Sequence, residues 1–159
     1  KYDVPDEAFG LALDNLQNSL SFDASLQDQG AQMAYALYVL ARNKRASMGD
    51  LRYFVDARLD EFPTVMARAQ LAAALALYGD KERADKGYAS AFSLLKSKQA
   101  FNWSRNDYGT PLRDGAALLA LAAETHVRAP FFLCVFLIRK VFTILIGGRE
   151  SWKTSPEPA

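Results

Sequence analysis

The sequence predicts an all-α fold: stacked antiparallel helical hairpins over residues 1–125, forming part of an α/α toroid, followed by an atypical tail over residues 126–159. Three observations carry this. Helices that are apolar on one face alternate with helices that are apolar all round. The all-round apolar segments repeat one wording, Ala36-Leu37-Tyr38-Val39-Leu40, Ala74-Leu75-Ala76-Leu77-Tyr78 and Ala117-Leu118-Leu119-Ala120-Leu121, first 38 and then 43 residues apart. Such spacing is that of a two-helix repeat. Proline, glycine and short polar stretches fall between the segments.

The first helix is expected from Pro5 to about Leu20, with Asp6 and Glu7 in a first turn that favours acids. Val4, Ala8, Leu11, Leu16 and Leu20 are its apolar stripe, and Asp14, Asn15 and Asn18 face away. The second, about Leu26 to Arg42, is apolar on every side from Met33 to Ala41 and needs cover on several faces. Ser47, with Asp50 three residues later, opens the third in the manner of a capping box. Leu51, Phe54, Val55, the Arg58 stem, Leu59 and Phe62 line its inner face. Pro63 ends it, and the fourth runs from Thr64 to Tyr78, closed by Gly79 as a C-terminal cap. Asp80 caps the fifth, which reaches about Ser97 with Ala84, Tyr88, Ala91, Phe92 and Leu95 inward. A longer loop over 98–111 precedes the sixth, Leu112 to about Glu124. The implied arrangement has two layers: inner Ala-rich helices packed closely together, and outer helices with one wet face.

The 159 residues suit one domain with an appendage. A net charge of +1 gives no field that would attract nucleic acid. The tail carries a net +3, which leaves the array mildly acidic. From Thr125 the Ala-rich vocabulary stops. Residues 131–146 are apolar, interrupted by Arg139 and Lys140, which is too short and too charged at its centre for a membrane span. The tail reads as foreign to the domain, and its polar end from Gly147 as disordered. The start, Lys1-Tyr2-Asp3-Val4-Pro5, has no apolar leader and reads as cut from a longer protein.

No residue pattern points to catalysis, a cofactor or a metal. Cys134, the single cysteine, lies among Phe, Leu and Val with no nearby base and reads as an inert thiol. His126 has no partners at zinc-site spacing. Asp56 and Asp60 are four apart on one helix face, but Arg52 and Arg58 beside them indicate a solvated surface. Tyr35, Tyr38 and Tyr78 read as core aromatics with satisfied hydroxyls. The loop holding Asn102, Trp103, Arg105, Asp107 and Tyr108 has a contact-like composition, and reads first as aromatic staples onto the array.

Several phrases resemble one family. Tyr2-Asp3-Val4-Pro5-Asp6, Ala34-Tyr35-Ala36-Leu37-Tyr38-Val39-Leu40-Ala41-Arg42, Gly49-Asp50-Leu51-Arg52-Tyr53, Ala74-Leu75-Ala76-Leu77-Tyr78-Gly79-Asp80 and Asp107-Tyr108-Gly109 are similar to the thioester-domain region of bacterial alpha-2-macroglobulins. The resemblance spans residues 1–125 and not the tail. It implies a large periplasmic protease inhibitor, often lipid-anchored to the inner membrane, that traps proteases through a Cys–Gln thioester, and a toroid of about six hairpins. The family's reactive stretch, Cys-Leu-Glu-Gln, does not occur here, and Cys134 is followed by Val135 and Phe136. No reactive residue is therefore carried over. The implied partners are the rest of the parent chain and, through it, target proteases. Membrane contact is expected through a parent lipid anchor or, as the second choice, through residues 131–146. Two other readings compete. A tetratricopeptide-like binding scaffold has a period near 34, shorter than the spacing seen. A toroid glycosidase needs inner carboxylates, which the inner helices almost lack.

Overall fold

The computed structural model describes residues 4–20, 25–97 and 110–125. Residues 98–109 of the loop expected over 98–111, and the tail over 126–159, lie outside the described residues, and with them His126, Cys134, Trp103 and Tyr108. Six α-helices follow one another: α1 (Asp6–Asn18), α2 (Leu26–Arg42), α3 (Met48–Ala57), α4 (Val65–Leu77), α5 (Lys81–Lys96) and α6 (Pro111–Glu124). A 3-10 turn, Leu59–Glu61, joins α3 to the chain leading into α4.

The boundaries follow from local chemistry. Ser47, Thr64 and Thr110 each accept the amide N–H of the third residue on (Asp50 at 3.3 Å, Ala67 at 3.1 Å, Arg113 at 3.2 Å), which satisfies one of the orphan donors of a helix start. Gly79 adopts φ +82°, and the amides of Gly79 and Asp80 return to the carbonyls of Ala76 and Leu75. This is a Schellman closure. The same closure ends α2, where Lys44 at φ +58° takes the left-handed position and Arg45 N–H reaches Leu40 O at 2.8 Å. Asp80 precedes α5, but its side chain makes no cap bond; it faces two arginines instead.

The core lies around α4, which packs against α2, α3, α5 and α6. Residues Gln70 to Leu75 are all buried in succession, as a helix covered on all sides requires. One apolar cluster joins α2, α3 and α4 through Leu37, Leu51, Phe54, Phe62, Leu71 and Leu75. Phe54 and Phe62 meet edge to face at 5.6 Å, a favoured aromatic geometry. A second cluster joins α4, α5 and α6 around the alanine face Ala69, Ala72 and Ala73. Small side chains set these approaches. At Gly87 of α5 an added Cβ would stand 2.8 Å from the Ala72 Cβ.

The inner and outer layers are as the alternation predicts for α2 to α5, and both ends differ. The stripe expected on α1 is used only in its second half. Leu13 is buried and Leu16 and Leu20 are half-buried, while Val4 and Leu11 are 57% and 62% exposed. Leu13, Leu16 and Leu20 share a side at helical spacing, and among the described elements α1 packs chiefly on α2, so one narrow strip is covered. The sixth helix is likewise covered on one side: Leu118 and Ala122 are buried, and Ala116, Ala120 and Ala123 are exposed. Among the described residues it has no partner beyond α4 and α5 of comparable extent.

Candidate functional site

Two polar clusters stand out, one on each layer. On the outer layer, α3 and α5 are laced by charge. Arg52 Nε donates to Asp80 at 2.8 Å, Arg83 donates to Asp80 at 3.2 Å and to Asp56 at 2.8 Å, and Lys86 stands 3.7 Å from Asp56. These guanidinium bonds hold the Asp56 and Asp80 carboxyls below the usual carboxylate range. Glu61 is lowered in the same way by Arg58, which grips it with two parallel bonds at 2.7 and 3.0 Å. Asp14 of α1 pairs with Arg45 at the end of α2.

Asp56 and Asp60, four apart in sequence, do not act together. Asp56 turns to Arg83 and Lys86, while Asp60 is almost fully exposed and pairs with Arg68 at 3.0 Å. The arginines expected beside them are used elsewhere, Arg52 on Asp80 and Arg58 on Glu61. A general acid–base pair needs carboxyls whose environments push their proton affinities apart. Here ion pairing keeps Asp56, Asp80 and Glu61 ionised, which suits adhesion between helices rather than proton transfer.

Arg68 was not legible as a special residue in the sequence. Its side chain is only 12% exposed, and burial lowers its proton affinity from the usual value. It donates to the Asp60 carboxylate and carbonyl, to the Phe62 carbonyl at 3.0 Å and to Ser90 Oγ at 2.7 Å. One guanidinium thereby ties the 3-10 turn to α4 and α5. The only hint in the sequence is a lone arginine amid an apolar helix.

On the inner layer, two of the three singled-out tyrosines are core residues with satisfied hydroxyls. Tyr78 donates to Ala46 O at 2.9 Å, and Tyr38 donates to Glu124 Oε2 at 2.8 Å. Tyr35 is instead 57% exposed. Arg42 completes the cluster, 2.7 Å from Glu124 and 3.3 Å from the Tyr38 hydroxyl. Tyr88 pairs with Thr125 Oγ1 at 2.9 Å. Burial raises the Tyr38 hydroxyl and pushes Tyr88 up to about 12. A phenol held neutral in this way bonds and positions; it supplies no nucleophile near neutral pH.

Among the described residues no three His, Cys, Asp or Glu side chains gather as a metal site, and no helix is long and apolar enough to cross a membrane. Two open concavities lie among the described residues. One of about 300 Å³ lies between α1 and α2, lined by Leu16, Leu20, Gln32 and Met33 among others. Another of about 280 Å³ lies between the 3-10 turn and α5 and is lined by side chains already ion-paired.

What remains is a helical array built for packing, with polar groups used as ties. No family model matches the chain. Known proteins nevertheless do. The alpha-2-macroglobulin of Xylella fastidiosa Temecula1 is 31% identical over 137 residues, which cover 81% of this chain and 8% of that one. The alpha-2-macroglobulin of Escherichia coli K12 is 35% identical over 97 residues, 61% of this chain and 6% of that one. Salmonella alpha-2-macroglobulin reacted with methylamine superposes with a TM-score of 0.70 and 28% identity, over 89% of this chain and 10% of that one. Escherichia coli alpha-2-macroglobulin activated by porcine elastase superposes with a TM-score of 0.67 and 28% identity, over 89% and 13%. The chain belongs to the bacterial alpha-2-macroglobulin family and corresponds to one helical segment of it. It spans about 8% of the length of the Xylella relative.

Proposed function

We propose that this chain is a scaffold segment of a broad-range, protease-trapping alpha-2-macroglobulin, in which it forms part of the α/α toroid of the thioester domain and performs no chemistry itself. The observation that carries the reading is the two-layer array around α4, matched at 31% identity to a protein of that name. The described polar side chains support it, because the ion-paired carboxylates and buried hydroxyls join helices to each other. On this reading the segment works in the periplasm, within a parent protein that meets the protease. Its task is mechanical: to hold its hairpins in a fixed curve beside the rest of the ring.

The test is direct incubation of the purified chain with porcine elastase. The expected result is unchanged elastase activity and no covalent adduct on a denaturing gel. A methylamine-sensitive adduct formed by this chain alone would overturn the proposal.

A further inference from the structure

The last turn of α6 is gripped from two different helices. Tyr38 of α2 bonds Glu124 at 2.8 Å, and Tyr88 of α5 pairs with Thr125 at 2.9 Å. Glu124 and Thr125 are consecutive. Both tyrosines are 7% exposed and belong to one apolar cluster with Ala69, Ala72 and Ala73 of α4 and Leu118 and Ala122 of α6. The alanine face of α4 is therefore a low floor. Larger side chains there would hold α2 and α5 too far off for either phenol to reach the end of α6.

We propose that Tyr38 and Tyr88 form a two-point latch that decides whether the C-terminal half of α6 is docked on the array. Three features make α6 the element that can open. Among the described residues it is covered on one side, by α4 and α5, with Ala116, Ala120 and Ala123 exposed. Its buried apolar anchors in the second half are small in number, Leu118 and Ala122. Its bonds to α2 run through the latch rather than through backbone packing, since α4 lies between the two helices. Arg42, 2.7 Å from Glu124, neutralises the carboxylate so that it stays fixed under the Tyr38 hydroxyl. Thr125 is held in turn, its hydroxyl also donating to Leu121 O at 2.9 Å. The two grips are independent in sequence and in parent helix, yet they act on adjacent residues. Each therefore supports the other: when one is made, the other has less freedom left to lose. The latch does not depend on the protease-trap reading; it concerns how this array holds its own edge.

The experiment is amide hydrogen exchange on the full chain and on Tyr38→Phe, Tyr88→Phe and the double variant. Phenylalanine keeps the buried ring and removes only the hydroxyl. Each single change should speed exchange in residues 118–124 about fivefold, and the double further but by less than about 25-fold, because each single loss also weakens the grip that remains. Exchange in Leu71 to Leu75 of α4 should stay within about twofold of the parent, since local opening leaves the centre intact. Unchanged α6 exchange in the double variant would overturn the proposal. So would equal acceleration in α4 and α6, which would mean global destabilisation. A double no faster than the faster single would overturn the two-point grip.

Discussion

Replacing Gly87 by alanine should destabilise the array, although in an open helix the same change stabilises. Gly87 is in the interior of α5, where alanine is favoured over glycine by about 1 kcal/mol. The opposing effect comes from Ala72. A Cβ on residue 87 would lie 2.8 Å from the Ala72 Cβ and 3.3 Å from its Cα, and both atoms are fixed to the backbone of α4. No rotamer can relieve that contact, so the helices must part. Overpacking of this kind costs about 1–3 kcal/mol, which exceeds the propensity gain by about 1 kcal/mol at the midpoint. The melting temperature should fall by about 2–4 °C for a chain of this length. Gly10 of α1 is the internal control. Nothing lies within 4 Å of its added Cβ, so Gly10→Ala should stabilise by up to about 1 kcal/mol. The decisive measurement is a double-mutant cycle by urea unfolding, followed by circular dichroism. Moving the methyl, as Ala72→Gly with Gly87→Ala, should return stability close to the parent and give a coupling of about 2 kcal/mol. If Gly87→Ala stabilises as Gly10→Ala does, the close α4–α5 approach is refuted.

Three further outcomes are expected. Lys44→Gly should raise stability by about 1 kcal/mol, because Lys44 sits at φ +58° where a Cβ is strained; a loss measured by urea titration would contradict this. Arg68→Met keeps much of the side-chain volume but strips donors from the Phe62 and Asp60 carbonyls, and should cost about 2 kcal/mol, with no change speaking against the buried tie. Thermal melts across pH should show two flanks. Asp56, Asp80 and Glu61 titrate lower when folded, so their contribution is present above the ordinary carboxylate range of about 4 and lost as pH falls below it. Tyr88 titrates higher when folded, so its contribution is present below about pH 10 and lost as pH rises toward 12. The loss per group should be larger on the alkaline side, because Tyr88 is buried while Asp56 and Glu61 are nearly half exposed. A flat profile from pH 9 to 12 would contradict the burial of its hydroxyl.

How much of this was legible depended on the range of the forces involved. Local signals were. Leu26 to Arg42 is the observed extent of α2, Ser47 caps α3, and Gly79 closes α4 in the left-handed conformation, because each of these follows from a few neighbouring residues. The all-round apolar run of α4 predicted a helix covered on every side, and it is so as far as Leu75, while Leu77 is exposed. Errors arose where a partner decides. Two stripes on α1 compete at helical spacing, and only the position of α2 selects Leu13, Leu16 and Leu20 over Val4 and Leu11. The sixth helix has the same wording as the fourth but less cover, since burial depends on what packs alongside. Lys44 closes α2 where glycine is usual, so no residue type marked it. Asp80 was placed correctly before α5, yet its carboxylate is drawn to the side chains of Arg52 on α3 and Arg83 on α5 rather than to the amides of the helix start. The latch was half visible. Tyr38 and Tyr88 stood out as inward aromatics, but their acceptors lie 86 and 37 residues away. Family membership was legible from phrases such as Ala74-Leu75-Ala76-Leu77-Tyr78-Gly79-Asp80, which also set the close of α4.

The central claim is that this chain is a working structural segment of a protease trap. The most direct measurement replaces the corresponding segment of Escherichia coli alpha-2-macroglobulin with residues 4–125 of this chain and assays covalent capture of porcine elastase. The account predicts a folded chimera that captures elastase, and that loses capture after treatment with methylamine. A chimera that folds, with unchanged α-helical content, but captures no elastase would contradict it.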